Sequence, residues 1–171
     1  FGAAGGNAGG SAGGAAAGGP IRVALTRLQV TDSIALGNFR GEFSARGGFN
    51  GDFAGDLNGQ TRISGQVVTQ KNGVAVRIAA NDAGGVFRAA GVLRHGSGGS
   101  FDMTLLPAGK AGEFNGSLKV RNVRVKEAPS MAALLNAVSL VGLLDELTGR
   151  GILFTEVDAG FRLGPSYVQV D

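Results

Sequence analysis

The chain has 171 residues, 32 of them Gly and none Cys, with a formal net charge of +3 and a sequence pI of about 9.8. Without cysteine there is no disulfide frame, no thiolate nucleophile and no Cys-based zinc site, and the length suits one domain. Glycine at about twice its usual ~7% favours many short strands, because inside a helix each Gly costs about 1 kcal/mol against Ala.

Residues 1–19 hold nine Gly and seven Ala, broken only by Phe1, Asn7 and Ser11. Such a segment has almost no side chains to bury against the entropy of ordering it, and reads as a flexible linker. It has neither the basic start nor the Leu-rich stretch of a signal peptide. Beginning at Phe1 and ending inside an apolar alternation, the chain is expected to be a piece of a longer protein, with residues 20–171 forming one β-groove domain.

From Phe49 to Thr69 the odd positions carry Phe49, Phe53, Leu57, Ile63 and Val67 with Gly and Thr, while the even ones are nearly all polar. This period of two predicts strands with one apolar and one wet face. An unbroken strand would run about 70 Å at ~3.3 Å per residue, so a turn is expected at Asn58-Gly59-Gln60. Pairing Leu57 with Thr61 keeps the apolar set on one side. A second turn, a two-residue type I′ loop at Asn72-Gly73, would set Lys71 against Val74, Thr69 against Val76 and Val67 against Ile78.

The alternation continues less cleanly through Val86 to Arg94, then Phe101, Met103 and Leu105, with turns over 81–85 and 96–99. A longer strand carries Phe114, Leu118 and Val120 on even positions but Val123 and Val125 on odd ones, which predicts a β-bulge near Asn122. Pro129 and Ser130 then open a helix over 130–147, in which Met131, Leu134, Leu135, Val138, Val141, Leu144 and Leu147 recur at helical spacing. Nearly apolar all round, it is expected to pack on the sheet as a lid. Asn136, Asp145 and Glu146 weigh against its spanning a bilayer. Thr155 to Leu163 and Val168 to Val170 resume the strands. The fold expected is mostly β: an antiparallel meander curled into an open groove or incomplete barrel, with one apolar helix packed on it.

Catalytic and metal-binding patterns are weak. His95 is the only histidine and stands beside a Gly-rich turn, which gives no triad and no metal set. Gly109-Lys110 lacks the remaining residues of a phosphate loop, with Thr104 and Ala111 where Gly and Ser or Thr are needed. Asn115-Gly116-Ser117 has the form of a glycosylation sequon, as chance tripeptides often do. Asp52 and Asp56 share a polar strand face without an apolar pocket to raise a pKa, and read as solvated. The densest basic group, Lys119, Arg121, Arg124 and Lys126, reads first as a solvated strand edge. Lipid headgroups are the second reading and nucleic acid the third, since no aromatic residue is interleaved for base stacking. No enzyme activity, cofactor or metal is expected.

The strand from Phe114 to Lys126 leads through Ala128-Pro129 into a helix carrying Leu134-Leu135, Ser139-Leu140 and Gly142-Leu143-Leu144. Leu147-Thr148-Gly149-Arg150-Gly151-Ile152 and Phe154 then lead into a strand ending in Phe161 and Leu163. Over 113–171 this order resembles the AsmA-like C-terminal region of the AsmA, YhdP and TamB group of Gram-negative envelope proteins. The resemblance implies an inner-membrane anchor outside this chain and a periplasmic bridge whose β groove carries phospholipid between the inner and outer membranes. The expected partners are then phospholipid acyl chains, without nucleic acid. The expected lining is Phe49, Phe53, Leu57, Ile63, Val67, Val76 and Ile78, and the lid is Leu134, Leu135, Val138, Val141 and Leu144. The apolar-face glycines would relieve crowding or leave room for a ligand. A Gly-rich structural or adhesive β-solenoid passenger of a secreted bacterial protein is the alternative.

Overall fold

The computed structural model describes residues 19–126 and 150–170. The linker, except Gly19, and the whole of the helix expected over 130–147 therefore lie outside the described residues, as do all five proposed lid residues.

The described strands are β1 (Ile21–Gln29), β2 (Ala35–Ser44), β3 (Asn50–Leu57), β4 (Thr61–Gln70), β5 (Gly73–Ala80), β6 (Gly96–Ser97), β7 (Ser100–Pro107), β8 (Phe114–Val125), β9 (Ile152–Leu163) and β10 (Val168–Val170). One short helix, α1 (Ala83–Ala89), stands between β5 and β6. Together the ten strands form one antiparallel sheet in sequence order, with β6 off the main path and paired to β8. The outer strands β1 and β10 do not meet, and the sheet is neither closed nor strongly curled. The trough or incomplete barrel expected from the sequence is corrected to an open sheet, roughly 40 Å wide at ~4.8 Å per strand.

Polarity parity sets most of the register. Leu57 pairs with Thr61, and the turn between them is made by Asn58 and Gly59 at φ 46° and 69°. The second turn is corrected: Gln70 pairs with Gly73, Thr69 with Val74 and Val67 with Val76. The two loop residues are Lys71 and Asn72, and neither has the positive φ of a type I′ turn. The slip is two residues, so every side chain keeps its expected face. Alternation fixes parity, but it does not choose between registers that share it.

The segment Val86 to Arg94 is not a strand. Asp82 caps α1, its Oδ1 accepting from the Gly85 N–H at 2.9 Å and the Gly98 N–H at 3.1 Å, and Ala83, Val86 and Ala89 are buried. A helix of seven residues is marginal alone, and here packing holds it. The turn expected over 96–99 contains β6, which continues the register of β7 against β8 across Gly98 and Gly99.

The switch of faces near Asn122 is present, but not as a bulge. Val120 and Val123 are both buried while Arg121 and Asn122 are exposed, and Asn122 has φ 55°. Pairing with β7 and β9 keeps one register throughout, so no residue is inserted. The extra residue occurs instead in β2, where the register shifts between Gly37 and Arg40 around Asn38 at φ 48°. That bulge lets both Leu36 and Phe39 face the core.

Candidate functional site

One face of the sheet is apolar across its width. Reading along paired residues, one row runs Val23, Gly41, Phe53, Gly65, Ile78, Met103, Leu118, Ala159. The next runs Ile21, Phe43, Gly51, Val67, Val76, Leu105, Gly116, Phe161 and ends at Val170. Antiparallel pairing brings these rows into line because each strand alternates with period two.

The face is covered unevenly. Toward α1, the helix residues Ala83, Val86 and Ala89 belong to one buried cluster with Leu36, Leu57, Ile63, Phe101, Val120 and Val123. Away from α1, Val74, Val76, Ile78, Met103, Leu105, Leu118 and Phe161 are only half-buried, and Val168 and Val170 are exposed. Among the described residues no element lies over those rows. A contiguous, half-exposed apolar surface of this kind is a candidate interaction surface.

The sequence candidates divide accordingly. Leu57, Ile63 and Val67 are buried in the core, Phe53 and Ile78 are half-buried and pack at its margin, and Val76 is half-buried. Phe49 lies just before β3, 44% exposed, with its ring stacked on Phe43 at 5.0 Å. The half-exposed part of the face is centred further along the chain than those candidates, at Met103, Leu105, Leu118, Phe161 and Leu163, with Met103 and Leu118 at the margin of the core. Their alternation carries the same period-two signal as that of the expected lining residues.

The glycines on this face do not leave empty space. A Cβ on Gly65 would stand 2.1 Å from Phe53 Cζ, one on Gly51 would stand 2.5 Å from Phe43 Cδ1, and one on Gly116 would stand 2.2 Å from Phe161 Cζ. Each glycine is roofed by a phenyl ring from a paired strand, so large rings lie low on the sheet and the surface stays shallow. At these positions the missing Cβ makes way for a ring of the protein itself and leaves no room for a ligand.

The opposite face carries cross-strand charge pairs: Arg22 with Glu42 at 3.0 Å, Arg62 with Asp56 at 3.3 Å, Lys119 with Asp158 at 3.6 Å and Arg121 with Glu156 at 3.4 Å. Arg77 forks onto both oxygens of Asp102, which raises the guanidinium pKa. The Asn38 amide, then Arg62, hold the Asp56 carboxyl below its ordinary value. Asp52 is exposed on the same face. Lys119 and Arg121 are thus part of a solvated, charge-balanced face, whereas Arg124 donates to the carbonyls of Arg150 and Gly151.

Comparison with protein-family models, with curated proteins and with solved structures gives no match to this chain. The function is therefore argued from the faces and edges of the sheet. Depressions interrupt its surface among the described residues. One of about 380 Å³ lies beside α1 and includes Thr61, Arg62, Asn81, Asp82 and Arg88; another, of about 570 Å³, lies over β1 to β3 and includes Val23, Gly41 and Phe53. Among the described residues no group of three His, Cys, Asp or Glu is placed to hold a metal ion. No helix of the described residues is long and apolar enough to cross a membrane.

Proposed function

We propose that this chain is a non-catalytic lipid-binding segment of a periplasmic bridge that moves phospholipid between membranes and serves outer-membrane biogenesis. Its bare apolar rows would receive acyl chains. The observation that carries this reading is the combination of a continuous apolar face, half-exposed from β5 to β10, with a charge-paired face behind it. A sheet wetted on both sides would gain nothing from such an arrangement, and a closed core would cover it.

An open, weakly curled sheet offers acyl chains a shallow bed rather than a trough. The resemblance over 113–171 supplies the envelope location and the inner-membrane anchor in this proposal. The solenoid alternative loses support, because a consecutive antiparallel meander lacks the stacked repeats that build a solenoid.

The test is binding of a fluorescent fatty acid to the purified chain, with native mass spectrometry for co-purified phospholipid. Met103 and Leu118 are directly paired and half-buried, so the double substitution Met103→Gln and Leu118→Gln puts two amides on the bed. Binding is expected to weaken at least about tenfold, since each unpaired amide brought against an apolar ligand costs about 1–3 kcal/mol. A wild-type chain that takes up no fatty acid and carries no phospholipid would sink the proposal.

A further inference from the structure

Basic residues collect where β6, β8 and β9 meet. Arg94 and His95 precede β6, Lys126 follows β8 and Arg150 precedes β9. The Lys126 N–H donates to the His95 carbonyl at 2.9 Å, and Arg124 Nη1 donates to the carbonyls of Arg150 and Gly151, each at 3.2 Å. A Cβ on Gly151 would stand 2.6 Å from Lys126 Cγ, so only glycine lets the incoming β9 strand approach this closely. Arg94, Arg124, Lys126 and Arg150 are thereby gathered on one rim.

Their electrostatic setting differs from that of the cations further along the polar face. Lys119, Arg121 and Arg77 each meet a carboxylate on a paired strand. None of the four rim cations has an acidic partner among the described residues. Among the described residues, the acids on adjoining elements are engaged elsewhere: Asp82 with the Gly85 and Gly98 N–H groups and Arg88, and Glu156 with Arg121. Arg94, Lys126 and Arg150 are exposed.

Aliphatic side chains stand exposed on the same rim. Leu153, the cross-strand partner of Arg124, is 46% exposed, and Val92, two residues before Arg94, is 66% exposed. Beneath them Val125 is buried against Leu93, Ile152 and Phe154, which holds the rim in shape. Cations without an acidic partner among the described residues, beside exposed aliphatic groups, match the headgroup region of an anionic bilayer, where the charges meet phosphates and the aliphatic groups enter the acyl boundary. Nucleic acid would favour aromatic residues for base stacking, and Val92 and Leu153 supply none.

We infer that this rim docks onto the surface of an anionic phospholipid membrane. It is a second site, separate from the bare apolar rows, which lie toward the Phe114 and Leu163 ends of β8 and β9.

The experiment is flotation of the full chain with vesicles of phosphatidylcholine alone or mixed with phosphatidylglycerol, beside the variant R94Q/K126Q/R150Q and the control K71Q/K110Q. Each cation near an anionic surface contributes about fivefold. The triple variant is thus expected to bind the mixed vesicles about 100-fold more weakly, and wild-type binding should fall as salt rises. The control removes two charges elsewhere and should change binding little. A triple variant that melts like wild type and floats equally well overturns the inference. So does equal flotation of wild type with neutral vesicles, equal weakening by the control, or tighter binding to a DNA duplex than to mixed vesicles. If fatty-acid binding by the apolar rows fails while charge-dependent flotation persists, the acyl-bed reading falls and the docking rim stands.

Discussion

The ring of Phe53 occupies the space that a side chain on its cross-strand partner Gly65 would need. Phe39 stands 5.9 Å from that ring, centroid to centroid, and limits where it can retreat. Gly65→Ala is therefore expected to destabilise the chain by about 1–3 kcal/mol, the usual range for overpacking. The cost should shrink when Phe53 is first replaced by Leu, a coupling that urea unfolding of the double-mutant cycle measures. Independent, additive losses would mean that the ring is not seated there.

Asn58 ties three segments together. Its Oδ1 accepts from the Ala35 N–H at 2.8 Å, and its Nδ2 donates to the carbonyls of Ser33 at 2.9 Å and Ala89 at 2.8 Å. The β3–β4 turn is thus joined to the loop before β2 and to the end of α1, in a left-handed conformation that Asn tolerates better than most residues. Asn58→Gly keeps the backbone free but loses these bonds, at a cost of about 2 kcal/mol. Asn58→Ala should cost about 1 kcal/mol more, for the strain of positive φ. Equal melting temperatures for the two variants would remove the backbone part of this account.

What could be read in the sequence follows from how local each signal is. The alternation over Phe49 to Thr69 gave two strands, their turn and their faces, because parity is a property of neighbouring residues. The two-residue slip between β4 and β5 depends on the turn at Lys71-Asn72 and on partners beyond it. α1 is not legible from the alternation, because an Asp before Gly-rich residues suits a turn as well as the helix N-cap that Asp82 forms. Before Phe49 the bulge at Asn38 interrupts the period, so β2 is masked in the pattern. The bare part of the apolar face depends on which rows α1 fails to reach, and no local pattern encodes that.

Asp56 predicts an acid-limb signature. Asn38 Nδ2 donates to its Oδ2 at 2.8 Å and Arg62 Nη1 to its Oδ1 at 3.3 Å, and together they lower its pKa below the ordinary 3.8. A lowered folded pKa means that the unfolded chain binds more protons in the window between the two values. The stability due to Asp56 is therefore complete above about pH 4–5 and lost as pH falls through the folded value. Melting temperatures of wild type and Asp56→Asn should differ at pH 6 and converge toward pH 2. In Asn38→Ala, an NMR titration should find the Asp56 pKa raised toward 3.8. An unchanged titration would show that the bulge amide does not hold the carboxylate.

Gly84 controls how far the apolar face is covered. A Cβ there would stand 2.1 Å from Ser97 N, 2.3 Å from Ser97 Cα and 2.4 Å from the Gly96 carbonyl carbon. All three are main-chain atoms of β6, so no rotamer change relieves the clash, and either α1 or β6 must move. The helix has seven residues and is held by packing, whereas β6 is paired to β8; the helix is the weaker partner and should lift. Lifting removes Ala83, Val86 and Ala89 from over Ile63, Phe101 and Val120, which extends the bare rows toward the middle of the sheet. Gly84→Ala is thus expected to cost about 2–3 kcal/mol and to increase binding of an environment-sensitive apolar dye. It should also erase hydrogen-exchange protection of the Val86 and Ala90 amides, which donate within the helix, while amides in β4 and β8 stay protected. Gly96→Ala is the milder control, its Cβ meeting Gly84 Cα at 3.1 Å. Unchanged dye binding and unchanged protection at Val86 in Gly84→Ala would mean that α1 does not cover the sheet by resting on β6.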